Sequence, residues 1–204
     1  AELLTTVAPQ VANEARGEAA KRIVGLAGKN HAKVFFTNGG ADANENAIRM
    51  ARLFTGRHKV LSFYRSYHGN TTAAIAATGD PRRWPNEFAY GHVHFFGPYL
   101  YRSAFWAKSE DEESARALEH LENTIIFEGP QTIAAILIET VVGTAGVLVP
   151  PQGYLEGVRA LCDKYGIIWI ADEVMSGFGR TGRWFAYQHS SVEPDLIVFA
   201  KGVN

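Results

Sequence analysis

The chain has 204 residues, of which 47% are hydrophobic and 20% are charged, and its net charge is −1. This is the composition of a globular domain, and a chain of this length can bury about 70% of the surface that it exposes when unfolded. Because no block of Lys or Arg residues stands out, we expect neither a nucleic acid nor an anionic membrane as a partner. The single cysteine, Cys162, excludes an internal disulfide and a cysteine-based zinc site.

The most apolar stretch, residues 133–149, is too short for a membrane helix and is interrupted by Glu139 and two glycines. No secretory signal is recognised, and we therefore expect a cytoplasmic protein. The chain lacks an initiating Met and stops soon after an apolar segment. We therefore also expect a truncated part of a longer protein.

Apolar segments alternate with helical patterns along the chain. In chain order, strands are predicted at residues 33–37, 59–63, 92–96, 133–138, 167–170 and 196–200. Helices are predicted in three of the intervals. The first follows residue 37, the second starts with a capping box formed by Ser109 and Glu112, and the third ends at Gly166.

This alternation of apolar strands and helices predicts an α/β fold. Strands that are apolar along their whole length are typical of a mainly parallel sheet with helices on both faces. We expect residues 1–204 to belong to one domain of this kind.

Residues that can carry chemistry follow the predicted strands, at the edge where open α/β sheets bind ligands. They are Gly39 and Gly40, Tyr67 and His68, Glu139, Asp172, and Lys201. Each has a structural explanation as well: a tight turn, a packed loop aromatic, a capping carboxylate or a lysine in solvent.

The chemical alternatives at these positions differ in what they require. The Gly39–Gly40 turn can present backbone N–H groups to an anion, but it matches neither a Walker loop nor a Gly-x-Gly-x-x-Gly loop. Asp172 can hold Mg²⁺ in a nucleotide hydrolase, which would need that missing phosphate loop, or it can pair with a protonated pyridine nitrogen. A partly desolvated Lys201 suits Schiff-base chemistry, and Tyr67 suits stacking on a planar ligand.

Five motifs occur in the order found in a known family. They are Thr-Asn-Gly-Gly-Ala-Asp-Ala-Asn-Glu at 37–45, Tyr-His-Gly at 67–69, Ile-Ala-Asp-Glu-Val at 170–174, Gly-Phe-Gly-Arg-Thr-Gly at 177–182 and Asp-Leu-Ile-Val-Phe-Ala-Lys-Gly at 195–202. Together they resemble the class III pyridoxal-phosphate aminotransferases of the ω-amino-acid:pyruvate or taurine:pyruvate kind. The resemblance covers nearly the whole chain and implies the large domain of fold type I.

The resemblance implies roles for two catalytic residues. Lys201 matches the lysine that forms the internal aldimine with pyridoxal 5'-phosphate, and Asp172 matches the partner of its pyridine nitrogen. The implied reaction moves an amino group from an amine or ω-amino acid to a 2-oxo acid such as pyruvate. The implied assembly is a homodimer, and no metal is implied.

The resemblance also places six further positions at the cofactor: Gly40, Ala41, Tyr67, His68, Glu139 and Val174. Val174 would pack on one face of the cofactor ring and Tyr67 on the other. Backbone groups of Gly40 and Ala41 would bind the phosphate, without the hydroxyl side chains that the family often has at 39 and 41.

Family members have roughly twice this length. The resemblance therefore implies that an N-terminal segment and the C-terminal small domain are absent from this sequence. Three other readings remain open: a decarboxylase or racemase with the same cofactor, a nucleotide hydrolase, and a catalytically inert fragment.

Overall fold

A computed structural model describes residue 8, residues 11–86 and residues 89–203. The chain divides into two compact units, residues 1–36 and residues 37–204. The first unit contains helix α1, Glu14–Leu26. Its N-cap is Asn13, whose side-chain oxygen accepts a hydrogen bond from the Arg16 N–H at 3.0 Å, as helix starts favour.

The second unit contains a five-stranded parallel sheet in the order β2-β1-β3-β4-β5. The strands are β1 Lys59–Phe63, β2 His92–Phe95, β3 Ile133–Glu139, β4 Ile168–Asp172 and β5 Leu196–Val198. Five of the six predicted strands are confirmed, with ends that differ by at most two residues. The predicted α/β class with a mainly parallel sheet is also confirmed.

Four helices belong to this unit: α2 Gly40–Thr55, α3 Thr72–Ala77, α4 Glu110–Glu128 and α5 Tyr154–Tyr165. Side chains of β3 alternate between the two faces of the sheet, as a strand requires. Leu137 packs in one apolar cluster with Ile48 of α2. Ile136 packs in the opposite cluster with Leu121 of α4 and Val158 of α5. Helices therefore cover both faces, as predicted.

The helix ends follow the sequence signals. The Ser109 side chain accepts a hydrogen bond from the Glu112 N–H at 3.2 Å and caps α4. Gly166 ends α5 in the left-handed conformation with φ of 62°, where glycine is favoured. Cys162 lies in the apolar face of α5 and is fully buried.

The strand predicted at residues 33–37 is wrong, because these residues have no regular secondary structure. A strand is stable only when its backbone groups pair with a neighbouring strand, and no described strand pairs with this segment. Phe35 and Phe36 are 63% and 43% exposed. The apolar pattern at 33–37 therefore does not mark a buried strand.

Across residues 8, 11–86 and 89–203, no helix is both long and apolar enough to cross a membrane. Within the same residues, no group of three or more His, Cys, Asp or Glu side chains is arranged to hold a metal ion.

Candidate active site

The site lies at the carboxyl edge of the parallel sheet. Glu139 ends β3 and Asp172 ends β4, and the two residues are direct partners in the strand register. The chain runs outward from β1 to β2 and then returns to place β3 on the other side of β1. Ligands of open α/β sheets bind where the strand order changes direction in this way, so the fold places the crevice beside these residues.

Asp172 is buried and accepts three hydrogen bonds. Its Oδ2 accepts from Asn44 Nδ2 at 2.9 Å and lies 2.7 Å from His68 Nδ1. Its Oδ1 accepts from the Val174 N–H at 3.0 Å. A carboxylate offers about four lone-pair positions, so Asp172 keeps room for one further donor, on the Oδ1 side.

The His68 side chain points inward and forms a hydrogen bond with Asp172. Its ring is buried, and because an ionised carboxylate only accepts hydrogen bonds, Nδ1 carries the hydrogen in this pair. Nε2 is also buried and has no hydrogen-bond partner among the described residues. The buried imidazole therefore orients the Asp172 carboxylate through its Oδ2 atom.

Asn44 was missed by the sequence reasoning, although it lies within the first of the five motifs. Its amide donates to the His68 carbonyl at 2.8 Å as well as to Asp172. A polar side chain at 1% exposure on the inner face of α2 is unusual, and its position within an otherwise apolar stripe was the available signal. Asn44 joins three segments of the site: α2, the loop after β1, and the end of β4.

The first turn of α2 packs directly on the loop after Asp172. A Cβ atom added at Gly40 would lie 2.9 Å from a Val174 methyl group, and one added at Gly69 would lie 2.4 Å from the Ala41 Cβ. Gly40 and Ala41 are in the first turn of α2, whose N–H groups have no acceptor within the helix. The start of α2 therefore packs against both Val174 and the loop at 67–69.

Tyr67 and Glu139 meet where the strand order changes direction. The Tyr67 N–H donates to Glu139 Oε1 at 2.9 Å, and the Gly143 N–H donates to Oε2 at 2.8 Å. Burial raises the pKa of the Glu139 carboxyl, the nearby His68 opposes this, and Asp172 adds to it. Glu139 thus fixes the backbone that carries the Tyr67 ring.

Lys201 comes three residues after the end of β5 and is exposed, so the expected partial desolvation is wrong for this structure. Its φ of 50° is in the left-handed region, which a non-glycine residue adopts at a cost. No contact joins its side chain to Asp172 or Tyr67 among the described residues. The next residue, Gly202, packs closely against Phe178, which ties this segment to the glycine-rich loop.

Glu173 follows Asp172 at the end of the predicted strand but was assigned no role, and its role in the structure is to hold the backbone. It is fully buried and accepts four hydrogen bonds. The donors are the Thr140 and Ser176 hydroxyls and the Ala186 and Tyr187 N–H groups. Its place directly after Asp172, at the end of a buried strand, was the signal for a second buried carboxylate.

The sequence profile of the family "Aminotransferase class-III" matches residues 1–204. The chain belongs to this family. It is 42% identical over 173 residues to an acetylornithine aminotransferase of Corynebacterium efficiens, covering 84% of this chain and 38% of that protein. It is 38% identical over 179 residues to a taurine–pyruvate aminotransferase of Rhodobacter capsulatus, again covering 84% of this chain and 38% of that protein.

A solved structure gives the same result at the level of the fold. The taurine:2-oxoglutarate aminotransferase of Bifidobacterium kashiwanohense, in complex with PLP and glutamate, superposes with a TM-score of 0.92 at 51% identity. The match covers 96% of this chain and 45% of that one. The chain therefore spans less than half the length of these relatives.

Proposed function

We propose that this chain is the cofactor-binding part of a pyridoxal-phosphate-dependent transaminase. The reaction transfers an amino group from an amine or ω-amino acid to a 2-oxo acid such as pyruvate. The observation that carries the proposal is the buried Asp172 carboxylate, which three donors fix in place while one acceptor position stays available.

The residues present fit the cofactor in two respects. The acceptor position left on Asp172 suits the N–H of a protonated pyridine nitrogen. The closely packed turn at Gly40 leaves no room for a side chain, and the N–H groups at the start of α2 suit a phosphate. The names of the relatives support the same cofactor and the same class of reaction.

When bound, pyridoxal phosphate supplies an aldehyde that bonds to amines and a ring that accepts electrons. Asp172 keeps the ring nitrogen protonated, because a buried, ionised carboxylate stabilises the positive charge beside it. His68 and Asn44 hold that carboxylate in orientation. Val174 and Tyr67 confine the ring from either side.

Lys201 supplies the amine that the aldehyde carbon requires. With the cofactor bound, the Lys201 amine would also be the group that accepts and returns the proton at the donor carbon. For this role the segment at 201–203 has to bring the lysine from its exposed position into the crevice at the carboxyl edge of the sheet.

We also propose that the complete protein is a cytoplasmic homodimer. Exposed apolar side chains support an interface, among them Phe54 at 82% and Phe127 at 89% exposure. The single buried cysteine suits a reducing compartment.

The test is a visible-absorption titration of the complete protein with pyridoxal phosphate, beside Lys201→Ala and Lys108→Ala variants. Lys108 is an exposed lysine outside the site, so it reports non-specific reaction with surface amines. We expect a band in the wild type and in Lys108→Ala that an amine donor bleaches and pyruvate restores, with alanine as the product. Lys201→Ala should lack this response.

An equal, donor-sensitive band in Lys201→Ala would contradict the role of the lysine. A wild type without any band would contradict the cofactor assignment. Release of carbon dioxide from a dialkylated amino acid, or racemisation of a single enantiomer without alanine formation, would favour the decarboxylase or racemase reading.

A further inference from the structure

The guanidinium of Arg82 lies over the ring of Tyr67, the side chain that is proposed to face the cofactor. Its guanidinium carbon is 3.6 Å from the centre of the Tyr67 ring. This is well inside the distance of about 6 Å at which an arginine and an aromatic ring attract each other. Arg82 has no place in the five motifs, and the proposed function assigns it no role.

Arg82 is itself held from two further segments. Its Nε lies 3.0 and 2.9 Å from the two carboxylate oxygens of Asp80, and its Nη2 also bonds to that carboxylate. The same Nη2 donates to the Thr144 hydroxyl at 3.3 Å. One side chain therefore joins the loop after β1, the turn after α3 and the loop after β3.

The opposite charges of Asp80 and Arg82 stabilise this contact. Burial opposes charge on Asp80, but the hydrogen bonds and the positive charge of Arg82 outweigh it and lower the pKa of that carboxyl. The hydrogen bond to Asp80 raises the pKa of Arg82, against the effect of its burial, and the charges of Asp80, Tyr67 and Glu139 contribute in the same direction. The ion pair therefore persists at neutral pH.

We propose that Arg82 is a positioning residue that fixes the plane of the Tyr67 ring and reserves the opposite ring face for the cofactor. An aromatic ring has two faces, and the guanidinium covers one of them. A planar cofactor then stacks on the other face. Because the Tyr67 ring is already fixed, binding does not have to pay for ordering its side chain. This inference rests on the proposed function for the identity of the stacked ligand.

The first measurement does not depend on the cofactor. Amide hydrogen exchange of the peptide containing Tyr67 is compared in the cofactor-free complete protein for the wild type, Arg82→Ala and Arg102→Ala. Arg102 also lies over a tyrosine ring, that of the exposed Tyr101, at 5.9 Å, so its loss removes a contact of the same chemistry elsewhere. We expect several-fold faster exchange in Arg82→Ala alone.

The second measurement is the dissociation constant for pyridoxal phosphate, followed by its absorption band. We expect an increase of about 2- to 5-fold in Arg82→Ala, which is the range set by a solvent-accessible arginine–aromatic contact. Arg82→Lys should fall in between, because it keeps the charge but not the planar stack. The Arg102→Ala value should equal that of the wild type.

The outcomes separate the two proposals. Unchanged exchange at Tyr67 in Arg82→Ala would overturn the positioning role. Equal or tighter cofactor binding in Arg82→Ala would also overturn it, and tighter binding would mean that Arg82 covers the face that the cofactor needs. Failure of the wild type to bind pyridoxal phosphate at all would overturn the proposed function, while the exchange result still decides whether Arg82 holds the ring.

Discussion

At the scale of single residues, the candidate site is organised by carboxylates that are buried with their partners. Asp172 and Glu173 are adjacent in sequence and both are buried, yet they bond to different parts of the structure. Asp172 bonds to side chains of the crevice, whereas Glu173 bonds to backbone and hydroxyl groups that shape the following loop. An unpaired carboxylate at this depth would be strongly unfavourable, so each donor is part of the reason the site keeps its form.

The glycine turn gives a prediction with a matched control. Gly40→Ala places a methyl group about 3 Å from Val174, so that side chain has to shift. Since Val174 is proposed to confine the cofactor ring, we expect Gly40→Ala to weaken pyridoxal phosphate binding about tenfold. The dissociation constant from an absorption titration measures this.

Gly39→Ala is the control, because no atom lies within 4 Å of the added Cβ and the φ of 170° is extended backbone that any residue adopts. It should bind the cofactor as the wild type does. Equal losses in both variants would mean that the whole turn, rather than the contact with Val174, determines binding.

At the scale of elements, α4 shows how a helix start organises a long connection. Glu113, in its first turn, is fully buried. Its carboxylate accepts hydrogen bonds from the Tyr99 N–H and the Ser103 hydroxyl. Ser103 Oγ in turn accepts from the N–H groups of Phe105 and Ala107. One carboxylate therefore orders the aromatic-rich segment that precedes the helix.

We expect Glu113→Ala to lower the free energy of unfolding by about 2–4 kcal/mol, because it leaves two donors without an acceptor. Urea denaturation of the complete protein measures this loss. Glu110→Ala, an exposed acid in the same turn, should change stability by no more than about 0.5 kcal/mol. Similar losses in the two variants would show that the charge near the helix start matters rather than the buried bonds.

The predicted elements differ in how well local pattern determined them. Helices α2, α4 and α5 and five strands carry their own signals, such as the cap at Ser109 and the left-handed glycine at Gly166, whereas α1 and α3 were not predicted. The segment at 33–37 has an equally apolar pattern but no strand. Side-chain pattern predicts which face a strand buries, whereas strand formation also requires a partner for its backbone, which lies elsewhere in the chain.

At the scale of the whole molecule, stability should depend on pH through His92. Burial above all, with the charges of Arg52, His94 and His68, lowers the pKa of His92 to about 4 in the folded chain. The unfolded chain titrates near the ordinary value of about 6.5. Between these values the unfolded state binds a proton that the folded state excludes, so stability falls as pH falls through this window.

The loss from His92 is at most about 3 kcal/mol, reached near pH 4, and it disappears above about pH 6.5. Chemical denaturation at a series of pH values measures it. His92→Gln should remove this part of the pH dependence, while His58→Gln, at an exposed position, should keep it. If the free energy of unfolding of His92→Gln depends on pH as it does in the wild type, groups other than His92 cause the dependence.

The amino-acid sequence alone determined the class of fold and indicated which strand-end residues to consider for the site. Apolar strands, helix caps and strand-end polar residues are local signals, whereas the five motifs were recognised by their resemblance to a known family. Only the tertiary structure decided the partners: His68 and Asn44 on Asp172, Arg82 on Tyr67, and an exposed rather than desolvated Lys201. Such contacts join residues far apart in the chain, and burial and charge pairing exist only after folding has brought them together.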